Sequence, residues 1–107
     1  GVFHPRGWKL YQQDGRDAAV LLLNEHPDQD AVELVYFGVA PEFRGNAWGE
    51  KVVADAIKLG RAWNRAVIFL AVDAANSFAN RIYAEFGFQE VARRVVWLRF
   101  PSAMAQK

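Results

Sequence analysis

The stretch Val39-Ala40-Pro41-Glu42-Phe43-Arg44-Gly45-Asn46-Ala47-Trp48-Gly49-Glu50 decides how this chain is read. An apolar, strand-like run ends in a short loop. The loop carries Arg44, two glycines and the small Ala47, and an amphipathic helix then begins. A helix start leaves several backbone N–H groups without internal partners, and the macrodipole adds partial positive charge there. Small residues let an anion come close to those donors, which is the design of a phosphate or pyrophosphate cradle. A Walker loop needs Lys and then Ser or Thr at the helix start, whereas Gly49 is followed by Glu50 and Lys51. A dinucleotide fingerprint needs three glycines in fixed order, and only Gly45 and Gly49 are present.

Outward from the loop, the pattern changes period. Upstream, residues 1–7 contain Pro5 and Gly7 and read as irregular. Trp8 to Gln13, Ala18 to Glu25 and Ala31 to Ala40 read as three strands. Asp14-Gly15 signals a turn, lengthened by Arg16-Asp17, and residues 26–30 form a polar loop. Downstream, Trp48, Val52, Val53, Ala56, Ile57, Gly60 and Trp63 recur at helical spacing, with Glu50, Lys51, Asp55, Lys58 and Arg61 on the other face. Ala66 to Val72 is continuously apolar, as in a strand buried on both faces of a parallel pairing. Asn76 to Phe86 is a second helix stopped by Gly87. Val91 to Phe100 is a last strand, and residues 101–107 are a frayed tail. The fold class is α+β, a mixed sheet in the order β-β-β-α-β-α-β with a right-handed crossover.

At 107 residues, 52% of them apolar, with four Trp and eight Phe, the chain reads as one domain, residues 1–107, with material for a core. A formal net charge of +1 implies no broad attraction to nucleic acid or membrane. There is no cysteine, which excludes disulfides, thiolate chemistry and Cys-type zinc sites. His4 and His26 stand apart from any metal-ligand spacing, so no metal is expected; His26, before Pro27, reads as solvated. No run is apolar enough for a membrane span and no signal peptide opens the chain, so a cytoplasmic location is the default.

Arg44-Gly45-Asn46-Ala47-Trp48-Gly49 resembles the Gln/Arg-x-x-Gly/Ala-x-Gly/Ala signature of the GNAT superfamily of acetyl-CoA-dependent N-acetyltransferases. Asn76, Ala79, Tyr83, Gly87 and Phe88 fit a second motif of that family, Asn-x-x-Ala-x-x-x-Tyr-x-x-x-Gly-Phe, and Glu33 to Pro41 looks like the strand before the loop. The resemblance implies a GNAT-like sheet with strands 31–40 and 66–72 parallel and then splayed, the arm of coenzyme A inserted between them. It implies acetyl-CoA as cosubstrate and transfer of its acetyl group to a primary amine, on a small molecule or a peptide, by direct attack in a ternary complex. Phe37, Gly38 and Val39 would border the arm, with main-chain N–H near them polarising the thioester carbonyl. The amides from Arg44, Gly45, Asn46, Ala47, Trp48, Gly49 and Glu50 would hold the pyrophosphate. Ala47 stands where the signature usually has Gly, adding a methyl where the backbone meets phosphate.

Several residues carry two readings. Arg44 pairs with pyrophosphate or is a solvated arginine after a turn. Trp48 folds over the loop or packs in the core. Gly38 marks a bulge that starts the splay or a tight packing contact. Asn76 is a helix N-cap, and by the resemblance also a cofactor contact. Tyr83 is a core aromatic or, by the resemblance, the acid that protonates the departing thiolate. Glu33 is an exposed strand residue or, like a strand glutamate of some family members, the general base. Arg61, Arg65, Arg81, Arg93 and Arg94 read as solvated charges, one of which meets the adenosine phosphate. The family's usual first strand and following two helices have no room before Trp8. The chain is therefore expected to be an N-terminally truncated domain or part of a longer one, with an upstream domain or a second copy as partner. An alternative is a non-catalytic acyl-CoA-binding half of a tandem protein; a ligand-free structural domain would need both motifs to be coincidence.

Overall fold

Asp14 and Gly15 both take left-handed φ, 53° and 77°, as a two-residue primed turn requires. They close the first hairpin by themselves. Arg16 and Asp17, expected in the connection, begin the second strand instead, with Gln13 opposite Arg16. The computed structural model describes residues 2–92 and 94–100, with side chains from residue 7 onward. The expectations for His4, Arg93 and the tail 101–107 lie outside what is described.

The elements are β1 (Val2–Gln13), β2 (Arg16–His26), β3 (Ala31–Val39), α1 (Trp48–Ala62), β4 (Val67–Ala71), α2 (Ser77–Glu85), β5 (Gln89–Ala92) and β6 (Val95–Arg99). The segment expected to be irregular over residues 1–7 is strand from Val2 on. A register slip between Phe3 and Trp8 accommodates Pro5 and Gly7 without ending β1. The single strand expected over residues 91–100 is a hairpin of β5 and β6, with Arg94 at φ 62° in its turn. The sheet runs β1-β2-β3-β4-β6-β5, antiparallel except for the β3–β4 pair.

That parallel pair is short. Ala31, Val32 and Glu33 face Val67, Ile68 and Phe69, and there the pairing stops, while β3 continues to Val39 and β4 to Ala71. The two strands thus fork beyond Glu33 and Phe69. α1 packs on β2 and β3, burying Val52, Val53 and Ala56 against Leu21, Leu23 and Val32. α2 lies on the same face, its Ile82 fully buried beside Gly49 of α1. Asn64 at φ 62° ends α1, with Arg65 N–H returning to the Gly60 carbonyl, the left-handed stop that Asn tolerates. Among the described residues no element covers the opposite face of the sheet; Trp8, Leu10 and Tyr36 stand exposed there.

Candidate active site

The loop between β3 and α1 is shaped by three backbone choices. Pro41 opens a single 3-10 turn, Pro41–Phe43, and Phe43 plugs the core while the Arg16 guanidinium lies 5.2 Å above its ring. Gly45 then turns at φ 87° and Ala47 at φ 62°, and α1 starts. Ala47 is the N-cap by position, yet its methyl can cap nothing. Its carbonyl accepts from Lys51 N–H at 3.1 Å, but among the described residues no acceptor takes the amides of Gly45 to Glu50. The loop borders a cleft of about 280 Å³ lined by Val39, Arg44, Gly45, Ala47, Trp48, Gly49, Glu50, Phe78 and Arg81.

The two glycines of the loop have different jobs. A Cβ on Gly45 would meet nothing within 4 Å, so its need is the positive φ. A Cβ on Gly49 would lie 2.5 Å from Ile82 Cδ1 and 2.9 Å from Phe78 Cζ. Gly49 is there so that α1 can touch α2, which sets the position of Phe78 in the cleft floor. Trp48 is half-buried, packed against the margin of the core and lining the cleft beside the loop. Its ring meets Tyr11 edge-on at 5.8 Å and its Nε1 donates to Gln13 Oε1 at 3.2 Å, pinning the helix start to the end of β1. Tyr11 in turn donates to Asp55 Oδ2 at 2.8 Å; burial, and then that carboxylate, hold its hydroxyl well above the usual phenol range.

Arg44 and Arg81 reach the Phe78 ring, each 5.9 Å from its centroid, and so flank the cleft. Arg81 also lies 4.0 Å from Glu50 and 3.6 Å from Glu85. Its place was not separable in the sequence from the other helix-face arginines, since only the α1–α2 crossing brings it to the loop. A larger adjoining cleft of about 450 Å³ takes in Phe37, Gly38, Val39, Arg44 and Asn76, with Leu10, Val20, Tyr36 and Phe78. Asn76 is the N-cap of α2, its Oδ1 accepting from Ala79 N–H at 3.1 Å. The fork itself is a third cleft, walled by residues 34–37 of β3, by 71–73, and by Asn76, Ala79, Asn80 and Tyr83 of the α2 segment.

Gly38 does not mark the bulge. Leu22 pairs with Tyr36 and Leu23 with Leu34, so the extra residue in β3 is Val35. Gly38 instead makes room for Tyr36, whose hydroxyl lies 2.5 Å from where a Cβ would be. The bulge changes which side chains share a face. Before it, Glu33 and Asn24 pair on the helix-free face; after it, Phe37 points to the helices, meeting Tyr83 edge-on at 5.9 Å and Phe78 at 6.4 Å. Glu33 and Tyr83 therefore stand on opposite sides of the forked strands. Tyr83 is 8% exposed, and burial pushes its hydroxyl up to about 12. Glu33 is not a free strand residue, and His26 is not solvated. His26 Nε2 lies 2.8 Å from Glu33 Oε1, and the ring packs on Phe69 with centroids 5.4 Å apart. Among the described residues no group of three or more His, Cys, Asp or Glu side chains is gathered to hold a metal, and no helix is long and apolar enough to cross a membrane.

The sequence model of the Acetyltransferase (GNAT) family matches residues 3–88. No curated protein matches the chain by sequence. Among solved structures, Ard1 from Thermoplasma volcanium superposes with a TM-score of 0.81 at 19% identity, covering 92% of this chain and 73% of that one. The ribosomal-protein-S18-alanine N-acetyltransferase from Escherichia coli gives 0.78 at 20% identity, over 91% of this chain and 72% of that one. An acetyltransferase from Bacillus subtilis in complex with CoA gives 0.76 at 17% identity, over 84% and 74%. At these identities the likeness is one of fold.

Proposed function

The chain belongs to the GNAT acetyltransferase family, and from that premise we propose that it moves the acetyl group of acetyl-CoA to a primary amine. The observation that supports this most is the fork. Beyond Glu33 the β4-facing edge of β3 has no strand partner, and it leads directly to a loop of uncommitted amides flanked by Arg44 and Arg81. A slot of that form suits a thin ligand with amides along its length and a pyrophosphate at one end. The loop amides would hold the pyrophosphate, and the edge near Phe37 to Val39 would pair with the arm and polarise the thioester carbonyl. Acetyl-CoA supplies the activated acyl group. Tyr83, protonated at any working pH, donates a proton towards the departing sulfur from the helix side. Glu33 takes the proton of the amine from the other side.

The test is thiol release. The chain has no cysteine, so a thiol reagent reads coenzyme A alone. Acetyl-CoA should bind saturably by calorimetry, be displaced by coenzyme A but not by NAD, and release thiol in an amine-dependent way. No binding at millimolar ligand, with no release, refutes the proposal. A second reading draws on the exposed Trp8, Leu10 and Tyr36 on the side where Glu33 lies, which leaves the acceptor side open. On that reading the domain binds acyl-CoA as half of a larger protein; binding without amine-dependent release would select it.

A further inference from the structure

We propose that the acceptor is a primary amine on a short, uncharged, apolar body, lying across the helix-free face of the sheet on Leu10 and Val20 with its nitrogen beside the Tyr36 hydroxyl. The inference deepens the acetyltransferase reading above and rests on it. Its ground is the cross-strand register. Leu10 faces Val20 and Val20 faces Gly38, so one row crosses β1, β2 and β3. The next row is Trp8, Leu22 and Tyr36. Both rows stand on the helix-free face, because the residues between them turn to the helices: Leu21 is fully buried and Phe37 meets Tyr83. Leu10 is 60% exposed and Tyr36 57%. Gly38 has no side chain, and Tyr36 uses the space, its hydroxyl 2.5 Å from where a Cβ would be. The Tyr36 ring therefore leans along β3 towards the end of the first row. Among the described residues its hydroxyl makes no hydrogen bond, which leaves it open to a ligand's N–H.

The row ends at the edge where the thioester carbonyl is proposed to sit. The cleft of about 450 Å³ holds Leu10, Val20 and Tyr36 together with Phe37 to Val39, so one hollow joins the sheet face to that edge. Neighbouring strands lie about 4.7–4.9 Å apart, so the row from Gly38 to Leu10 spans about 10 Å, room for one ring on a two-carbon arm. Charge decides the class of amine. Among the described residues that line the cleft only Asp17 and Arg44 are charged. Asp17 lies at the flank, where its carboxylate accepts from Gln12 Nε2 at 2.9 Å. Arg44 lies at the far end, 5.9 Å from the centre of the Phe78 ring. The row itself offers a charged body no partner. An uncharged ring or branched chain instead covers Leu10, Val20 and the Tyr36 ring and takes their apolar area out of water.

The experiment measures thiol release from acetyl-CoA by wild type, Leu10→Glu and Tyr36→Phe with three amines. Phenethylamine carries the apolar body, ethanolamine lacks it, and putrescine would rest a second ammonium on Val20 and Leu10. Amide ¹⁵N–¹H shifts of the coenzyme A-loaded protein, titrated with phenethylamine, read binding without turnover. Wild type should favour phenethylamine over the other two by about tenfold or more in kcat/KM. Leu10→Glu, at an exposed site, should erase most of that preference while coenzyme A affinity stays that of wild type. Tyr36→Phe keeps the ring and should raise the KM for phenethylamine about twofold to tenfold with kcat little changed. The induced shifts should fall on Leu10, Val20 and Gly38. Equal use of the three amines, a preference that survives Leu10→Glu, an unmoved KM in Tyr36→Phe, or saturating shifts that miss the row overturn the proposal. Shifts on the row without thiol release uphold the acceptor trough and bring down the acetyltransferase reading; neither shifts nor release brings down both.

Discussion

Replacing Ala47 by glycine should make the protein more stable, although glycine is normally a poor choice at a helix start. Ala47 sits at φ 62°, ψ 22°. An L-residue with a Cβ loses about 1–2 kcal/mol in that region, and glycine loses none of it. Against this, glycine widens the unfolded ensemble by about 0.4–1 kcal/mol. The methyl is exposed and caps nothing, so deleting it forfeits little packing. The net is a gain of about 0.5–1 kcal/mol, which in a domain of this size raises Tm by about 2–6 °C. Ala54→Gly is the control: in the interior of α1 the same chemical change should cost about 0.5–1 kcal/mol. Differential scanning calorimetry of both variants reads opposite signs from one substitution type. Calorimetric titration of Ala47→Gly with coenzyme A should show affinity equal to or better than wild type, because the amides around position 47 are less hindered. An Ala47→Gly protein that melts at or below wild type refutes the strain argument, and one that loses coenzyme A affinity refutes the cradle.

Tyr83→Phe should slow thiol release roughly tenfold to a thousandfold while leaving acetyl-CoA affinity nearly unchanged; an unchanged kcat reduces Tyr83 to packing. Gly49→Val should lower Tm by overpacking of about 1–3 kcal/mol against Ile82 and Phe78, and weaken coenzyme A binding through the displaced Phe78 rather than at the loop amides; an unaltered melt would mean that the α1–α2 contact yields freely. Alkaline melts should show stability falling above about pH 10, because unfolded phenols ionise near 10 while Tyr83 stays protonated to about 12 and Tyr11 is held higher too, so the folded state binds more protons. Tyr11→Phe should flatten that fall, and identical slopes would contradict the buried Tyr11–Asp55 bond.

The parts legible in the sequence were those carried by local chemistry. The apolar spacing of α1, the Asn76 cap and the left-handed Gly87 stop of α2 each act within a few residues, and the elements appear where those signals stand. What stayed hidden depends on pairings that no local pattern encodes. Leu34-Val35-Tyr36 reads as ordinary alternation, which would put Glu33 and Phe37 on one face; only the register against Leu22 and Leu23 reveals the extra residue. His26 looked solvated because it precedes a proline in a polar loop, yet β2 extends to it and delivers its ring to Glu33. Arg81 looked like one of several helix-face cations until Gly49 let α2 approach the loop.

The Val35 bulge also bears on how the two sides of the site divide their work. In a regular strand Glu33, Val35 and Phe37 would all point the same way, and an acid on Tyr83 and a base on Glu33 would compete for the same side of an inserted thioester. With one residue added, Phe37 keeps its contact with Tyr83 under α2 while Glu33 turns to the helix-free face with His26. On the proposed mechanism the departing sulfur faces a buried phenol that holds its proton until the thiolate forms, while the amine approaches from the other side. On that proposal burial suits Tyr83 as the acid, since desolvation keeps the phenol neutral. On the same proposal the 32% exposure of the Glu33 side chain suits the base, since a carboxylate that must cycle its proton needs a route to water. The bulge lets one strand present both environments within five residues.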